Sequence, residues 1–223
     1  MTVAERLAEV RRRIERAGGG PEVAVLAVTK GFGPEAIAAA VIAGCPSVGE
    51  NYAQELLAKL DALDALDALE GRRPEVHFIG RLQSRKVRAL AGVVDVWQTI
   101  DRPVLVDEVA RRAPGARIMV QVNVSDEPQK GGCAPGEAPA LVTAAREAGL
   151  DVEGLMTVGR TGRPDAAREG FRMLRLLADE VGVRQRSMGM SEDLEVAVSE
   201  GSTMVRVGTA LFGDRPPPAQ PPK

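Results

Sequence analysis

The sequence predicts a single (β/α)8 barrel. Three observations carry this. Eight short β-prone runs alternate with helix-length segments along nearly the whole chain. The clearest runs are apolar without alternation, as strands covered on both faces are. The length of 223 residues suits one compact barrel with short loops and no inserted domain. An open doubly wound sheet is the structural alternative. Its fingerprint is incomplete, because Gly31-Phe32-Gly33-Pro34 begins a G-x-G pattern without the third glycine.

Taken in order, Val3, Leu7, Val10 and Ile14 recur at helical spacing and predict an extra amphipathic helix at the N-terminus. After the Gly18-Gly19-Gly20-Pro21 breaker, residues 23–28 (VAVLAV) form the first strand, and Pro34 opens a helix through Ala43. Strands follow at 45–48, 76–79, 93–97, 117–124, 152–156, 184–188 and 204–207. The helices between them are expected from Glu50 onward and at 84–90, 102–112, 136–148, 166–181 and 194–199. A short turn closes the barrel, so residues 1–213 form one domain and 214–223 a Pro-rich, mobile tail. Within the long helix, LDALDALDALE places a leucine every three residues over 60–70. That step lags the helical turn, which favours a solvated helix end over a partner-binding stripe.

Composition excludes several functions. Lys and Arg number 29 against 31 Asp and Glu, a net charge of −2, with 44% apolar residues. Such a chain is globular and lacks the positive field that non-specific nucleic-acid binding needs. One Trp, one Tyr and four Phe leave little for base stacking. Cys45 and Cys133, with a single His, suit neither a disulfide framework nor a zinc site. The longest apolar run, 36–43, is far too short to span a bilayer, and the N-terminal segment lacks a signal-peptide core. A cytoplasmic monomer is expected, with no membrane or nucleic-acid partner.

In a barrel, chemistry sits at the carboxyl ends of the strands. Lys30 directly follows the first strand, where an apolar mouth would disfavour its charge. A lysine held neutral condenses with carbonyls to give a Schiff base, although a lysine snorkelling from a strand end is an equal reading on spacing alone. The last strand carries Arg206 and ends in Gly208-Thr209, and Ser191 enters the helix after strand seven. Hydroxyls and backbone amides at those two loops are a phosphate cradle, and Ser191 alone is also a plain N-cap. An aldehyde-binding lysine with a phosphate cradle suggests pyridoxal 5′-phosphate (PLP).

The stretches GENYAQEL, HFIGRLQSRKV, QVNVS, GLMTV and SMGMSEDLEVAVSEGSTMVRVGTALFG, in that order from Val3 to Gly213, resemble the pyridoxal-phosphate homeostasis protein family. The resemblance implies the barrel of alanine racemase's N-terminal domain and a PLP held covalently by Lys30. It implies that Ser191, Gly208 and Thr209 hold the phosphate, Arg206 faces the pyridine nitrogen, and Asn51, His77 and Met190 line the cofactor. Read without the motif, His77 is a core histidine satisfied by backbone. Thr29, Arg81 and Gly159-Arg160 depart from residues common in the family, the last affecting a loop. Arg81, Arg85, Lys86 and Arg88 read as a solvated face.

Two function classes follow: a non-catalytic carrier in intracellular PLP (vitamin B6) homeostasis, with PLP-dependent apoenzymes as candidate recipients, and a PLP-dependent amino-acid racemase. A two-base racemase needs a base on each cofactor face, and here the chain's one tyrosine, Tyr52, lies inside a barrel motif. An always-charged Arg206 beside the pyridine nitrogen would keep that nitrogen unprotonated and weaken the ring as an electron sink. The missing second base favours the carrier over the racemase; the arginine excludes transamination more than racemisation. A cofactor-free Schiff-base aldolase leaves the SMGMS and VRVGT motifs without a role.

Overall fold

A computed structural model describes residues 1–65, 69, 71–125, 127–162 and 164–215. Its strands are β1 (Ala24–Val28), β2 (Ser47–Glu50), β3 (Glu75–Phe78), β4 (Val96–Ile100), β5 (Arg117–Gln121), β6 (Asp151–Met156), β7 (Gln185–Ser187) and β8 (Met204–Val207). They close in sequence order into one barrel, each parallel to its neighbours, with β8 returning to β1 through Ala24↔Met204 to Ala27↔Val207. The (β/α)8 expectation therefore stands. The helices are α1 (Val3–Arg16), α2 (Pro34–Ile42), α3 (Ala53–Ala65), α4 (Ser84–Leu90), α5 (Pro103–Arg112), α6 (Ala138–Glu147), α7 (Arg168–Glu180), α8 (Leu194–Ser199) and α9 (Thr209–Phe212).

α1 is the extra helix. A capping box between Thr2 and Glu5 starts it, and Leu7, Val10 and Ile14 bury its apolar face. It packs against α8 and α9, beside the loops after β7 and β8. Arg13 clamps Glu195 with two hydrogen bonds of 2.6 and 2.8 Å and donates to the Ser191 carbonyl at 2.8 Å. A helix outside the barrel thus braces the loop that carries Ser191.

Two apolar layers sandwich the strands. Leu56, Trp97, Leu105, Phe171 and their neighbours fill the space between strands and helices. Leu26, Val96, Met119, Met156 and Met204 fill the barrel's centre. Residues of even number on β1 point inward, so Leu26, Val28 and then Lys30 climb one inner wall.

Most boundaries lie within two residues of the sequence reading, and the larger differences are in β2, β4 and β5. The second strand is Ser47–Glu50, beyond the expected 45–48, and α3 accordingly starts at Ala53 instead of Glu50. The fourth is Val96–Ile100, three residues later than expected at its start, because Val93 and Val94 close the turn after α4. The fifth ends at Gln121, and Val122 bridges instead to Cys133. The leucine repeat is corrected over its described part. Leu56, Lys59 and Leu63 share a buried face of α3, so the start of the repeat packs against the barrel. Residues 66–68 and 70 of the repeat, and 216–223 of the proposed tail, lie outside the described residues.

Candidate functional site

One cavity of about 500 Å3 opens at the carboxyl ends of the strands. Lys30, Asn51, Met190, Ser191, Arg206, Gly208 and Thr209 all line it, so seven of the eight sequence-derived residues converge. Val28, Ile79, Met156 and Val158 give it apolar walls, as a small-molecule site needs.

Lys30 stands just past β1, half-buried, with no hydrogen bond or ion pair among the described residues. Burial lowers its pKa, Arg215 and Arg206 lower it further, and Glu50 opposes them. These conditions favour the neutral, nucleophilic amine. Arg206 enters from β8 and is 4% exposed. Its guanidinium donates to the Ser187 carbonyl at 2.7 Å, the Ser187 hydroxyl at 2.9 Å and the Thr157 carbonyl at 2.7 Å. Burial pushes its pKa down to about 10, against the pull of Asp193. Three neutral acceptors fix its orientation while leaving its charge without a direct carboxylate partner.

The two hydroxyls expected at a phosphate meet across the loops: Thr209 Oγ1 donates to Ser191 Oγ at 3.2 Å, and the Ala210 amide donates to the same oxygen at 3.3 Å. The Asp193 carboxylate holds the Met190 amide at 2.6 Å and so shapes this loop. Gly189, at φ +95°, turns the chain out of β7, and a Cβ there would lie 2.5 Å from that of Ala197. On the opposite wall, Asn51 leaves its buried Oδ1 without a hydrogen-bond partner. Gly80 is required beside it, since a Cβ would sit 1.9 Å from the Asn51 carbonyl oxygen.

His77 is a correction. It points into the barrel interior, 1% exposed, and does not line the cavity. Both ring nitrogens are engaged by Glu75 and Gln98. Ile79, two residues on and one layer higher, takes the lining position instead.

Sequence reasoning missed the mouth and the support. Lys130, Arg160 and Arg215 come to the rim from three separate segments. Lys130 is tied to Glu127 and to the Gly159 carbonyl. Behind β1, buried Lys59 donates to the Thr29 carbonyl at 2.7 Å, to Glu50 at 2.5 Å and to Glu55 at 2.6 Å. The i,i+4 spacing of Glu55 and Lys59 was the one signal in the sequence for this pair.

A barrel with a lysine just past its first strand and hydroxyls at its last two loops belongs to a recognisable class. The family model described as alanine racemase, N-terminal domain, matches residues 3–216. A pyridoxal phosphate homeostasis protein of Aquifex aeolicus is 41% identical over 232 residues, covering 96% of this chain and 99% of that protein. One from Escherichia coli K12 is 38% identical, with 96% and 97% covered. PipY of Synechococcus elongatus, solved with PLP bound, superposes with a TM-score of 0.81 at 31% identity, over 95% of this chain and all of that one. The chain belongs to the pyridoxal phosphate homeostasis protein family.

The donor set suits PLP. The described residues contain no cluster of His, Cys, Asp and Glu able to hold a metal ion. The cavity instead combines an amine, a hydroxyl pair, an orphaned amide oxygen and apolar walls, which matches an aldehyde, a phosphate, a ring substituent and a flat ring.

Proposed function

We propose that this protein binds PLP and holds it reversibly in intracellular PLP homeostasis, as a carrier and not as a catalyst. One observation carries the reading: an unpartnered, half-buried lysine and a paired Ser191 and Thr209 share a single cavity. PLP contributes an aldehyde that exchanges between amines. The protein would contribute Lys30 Nζ as the amine that condenses with that aldehyde, one water being released, and the Ser191–Thr209 loops as the phosphate anchor. With PLP bound, Arg206 would face the pyridine nitrogen, Gly208 would leave room beside the phosphate, and Asn51 and Met190 would flank the ring.

The carrier reading draws on the same geometry. Tyr52 is 61% exposed and outside the cavity lining, so it offers no second base across the ring from Lys30. Arg206 keeps a positive charge beside the ring nitrogen, which disfavours transamination more than racemisation. We further propose a cytoplasmic monomer that yields PLP to PLP-dependent apoenzymes. Its two thiols are unpaired and buried, which suits a reducing compartment.

Titration of cofactor-free protein with PLP should give a saturable Schiff-base absorbance with one PLP per chain. The same preparation should scarcely exchange the α-proton of alanine in heavy water. Racemisation at roughly 1–1,000 per second, the usual enzymatic range, would restore the racemase reading. Absence of saturable binding would remove PLP altogether.

A further inference from the structure

A hydrogen-bonded chain runs through the barrel from its closed end to the cavity. Arg206 donates to the Ser187 hydroxyl at 2.9 Å, and that hydroxyl contacts Gln98 Oε1 at 2.7 Å. Gln98 Nε2 lies 2.6 Å from His77 Nδ1, and His77 Nε2 lies 2.7 Å from Glu75 Oε2. Glu75 Oε1 accepts from Arg117 at 2.6 Å, and Arg117 also binds Glu153. Gln98, Ser187 and His77 are each at most 1% exposed.

Only one direction satisfies every link. A guanidinium cannot accept, so the Ser187 oxygen is the acceptor from Arg206 and its one hydrogen goes to Gln98 Oε1. The Gln98 amide is thereby oriented, and its nitrogen must donate to His77 Nδ1. The imidazole then carries its proton on Nε2, where the Glu75 carboxylate accepts it. Turned the other way, Gln98 would present its NH2 to Ser187, and that hydroxyl would face two donors with no acceptor for its own hydrogen. In a dry interior such a fault is costly, and a satisfied chain is held stiffly.

We propose that His77 is a positioning residue for Arg206: through Gln98 it orients the Ser187 hydroxyl, the one side-chain acceptor that joins two backbone carbonyls in holding the guanidinium in the cavity wall. This rests on the reading that Arg206 meets the pyridine nitrogen of PLP. A histidine one layer below the cofactor thus acts on the ring without touching it.

His77 is the chain's one histidine, so protein labelled with [15N]histidine reports on it without ambiguity. At neutral pH the cofactor-free protein should show the Nε2–H tautomer, and adding PLP should move the Nδ1 resonance. In Ser187→Ala that response should vanish, and PLP should bind about three- to tenfold more weakly. Met119→Leu, in the same inner layer but off the chain, should keep both the response and the affinity. An Nδ1–H tautomer or a doubly protonated ring overturns the proposal. So does a PLP response that survives in Ser187→Ala, or an equal loss in Met119→Leu. The tautomer of the parent needs no variant to fold. A parent that takes up no PLP defeats the cofactor reading, while its tautomer still tests the direction of the chain.

Discussion

The two ends of the barrel treat charge in opposite ways. At the closed end, Arg117 on β5 is shared as ion-pair partner by Glu75 on β3 and Glu153 on β6. At the open end, among the described residues, Lys30 has no partner and Arg206 has three neutral ones. Burying charge costs stability unless it is paired, so unpaired cations in a cavity hold free energy that an anionic ligand releases. The closed end pairs its charges, while the open end keeps Lys30 and Arg206 clear of carboxylates beside a fully paired Lys59.

The largest test sets two lysines of this one region against each other. Lys59, with three acceptors, is structural, whereas Lys30 is free to react. Borohydride reduction of PLP-loaded protein should place the phosphopyridoxyl group on Lys30 alone, and Lys30→Ala should lose the absorbance entirely with little change in Tm. Lys59→Met should do the reverse, keeping the reactive amine while leaving Glu50 buried and uncompensated, at about 3–5 kcal/mol in chemical unfolding. Burial already raises the Glu50 pKa, so Lys59→Met with Glu50→Gln should recover much of that loss. Peptide maps with the label on Lys59, Lys86 or Lys130 would sink the assignment.

The open end was legible in the sequence, and the closed end was not. A parallel barrel brings every strand's carboxyl end to one face, so Lys30, Ser191, Arg206 and Thr209 could be gathered from strand order alone. Depth is what the sequence hides. His77 and Ile79 share a motif and an inward direction, yet only the second reaches the cavity. Gln98 shows why β4 was set three residues early. A polar pair, Gln98-Thr99, looks like a loop, and its burial makes sense only once His77 and Ser187 meet it from strands far away in sequence. Arg160 and Arg215 reach the rim from segments with no strand-end signal.

A smaller effect is expected from the phosphate loops. Ser191→Ala and Thr209→Ala each remove a hydroxyl from a dianion, worth roughly 1.5–3 kcal/mol, or about ten- to a hundredfold in Kd. The two oxygens touch each other at 3.2 Å, so their effects should not add. If calorimetric titration finds the double variant binding PLP as tightly as the parent, the phosphate sits elsewhere. Loss of binding should leave the urea midpoint nearly unchanged, which separates this end of the barrel from the other.

The smallest effect belongs to the closed end and is read by pH. The hydrogen bond from His77, with help from Arg117, holds Glu75 down to about 2 from its ordinary 4.5. A carboxylate depressed in the folded state stabilises above its unfolded pKa and loses that contribution as pH falls through the folded one. The window is therefore about pH 4.5 down to 2. Full linkage over that shift would approach about 3 kcal/mol, and solvent screening of a side chain that is 35% exposed reduces it to about 1–2 kcal/mol. In urea unfolding, the parent should lose stability relative to Glu75→Gln as pH drops from 5 towards 2, and the two curves should run parallel above about pH 5. Parallel curves throughout would mean that Glu75 is no more strongly held than a surface carboxylate. The contrast between a charge-paired end and a charge-exposed end would then have to rest on Arg117 and Glu153 alone.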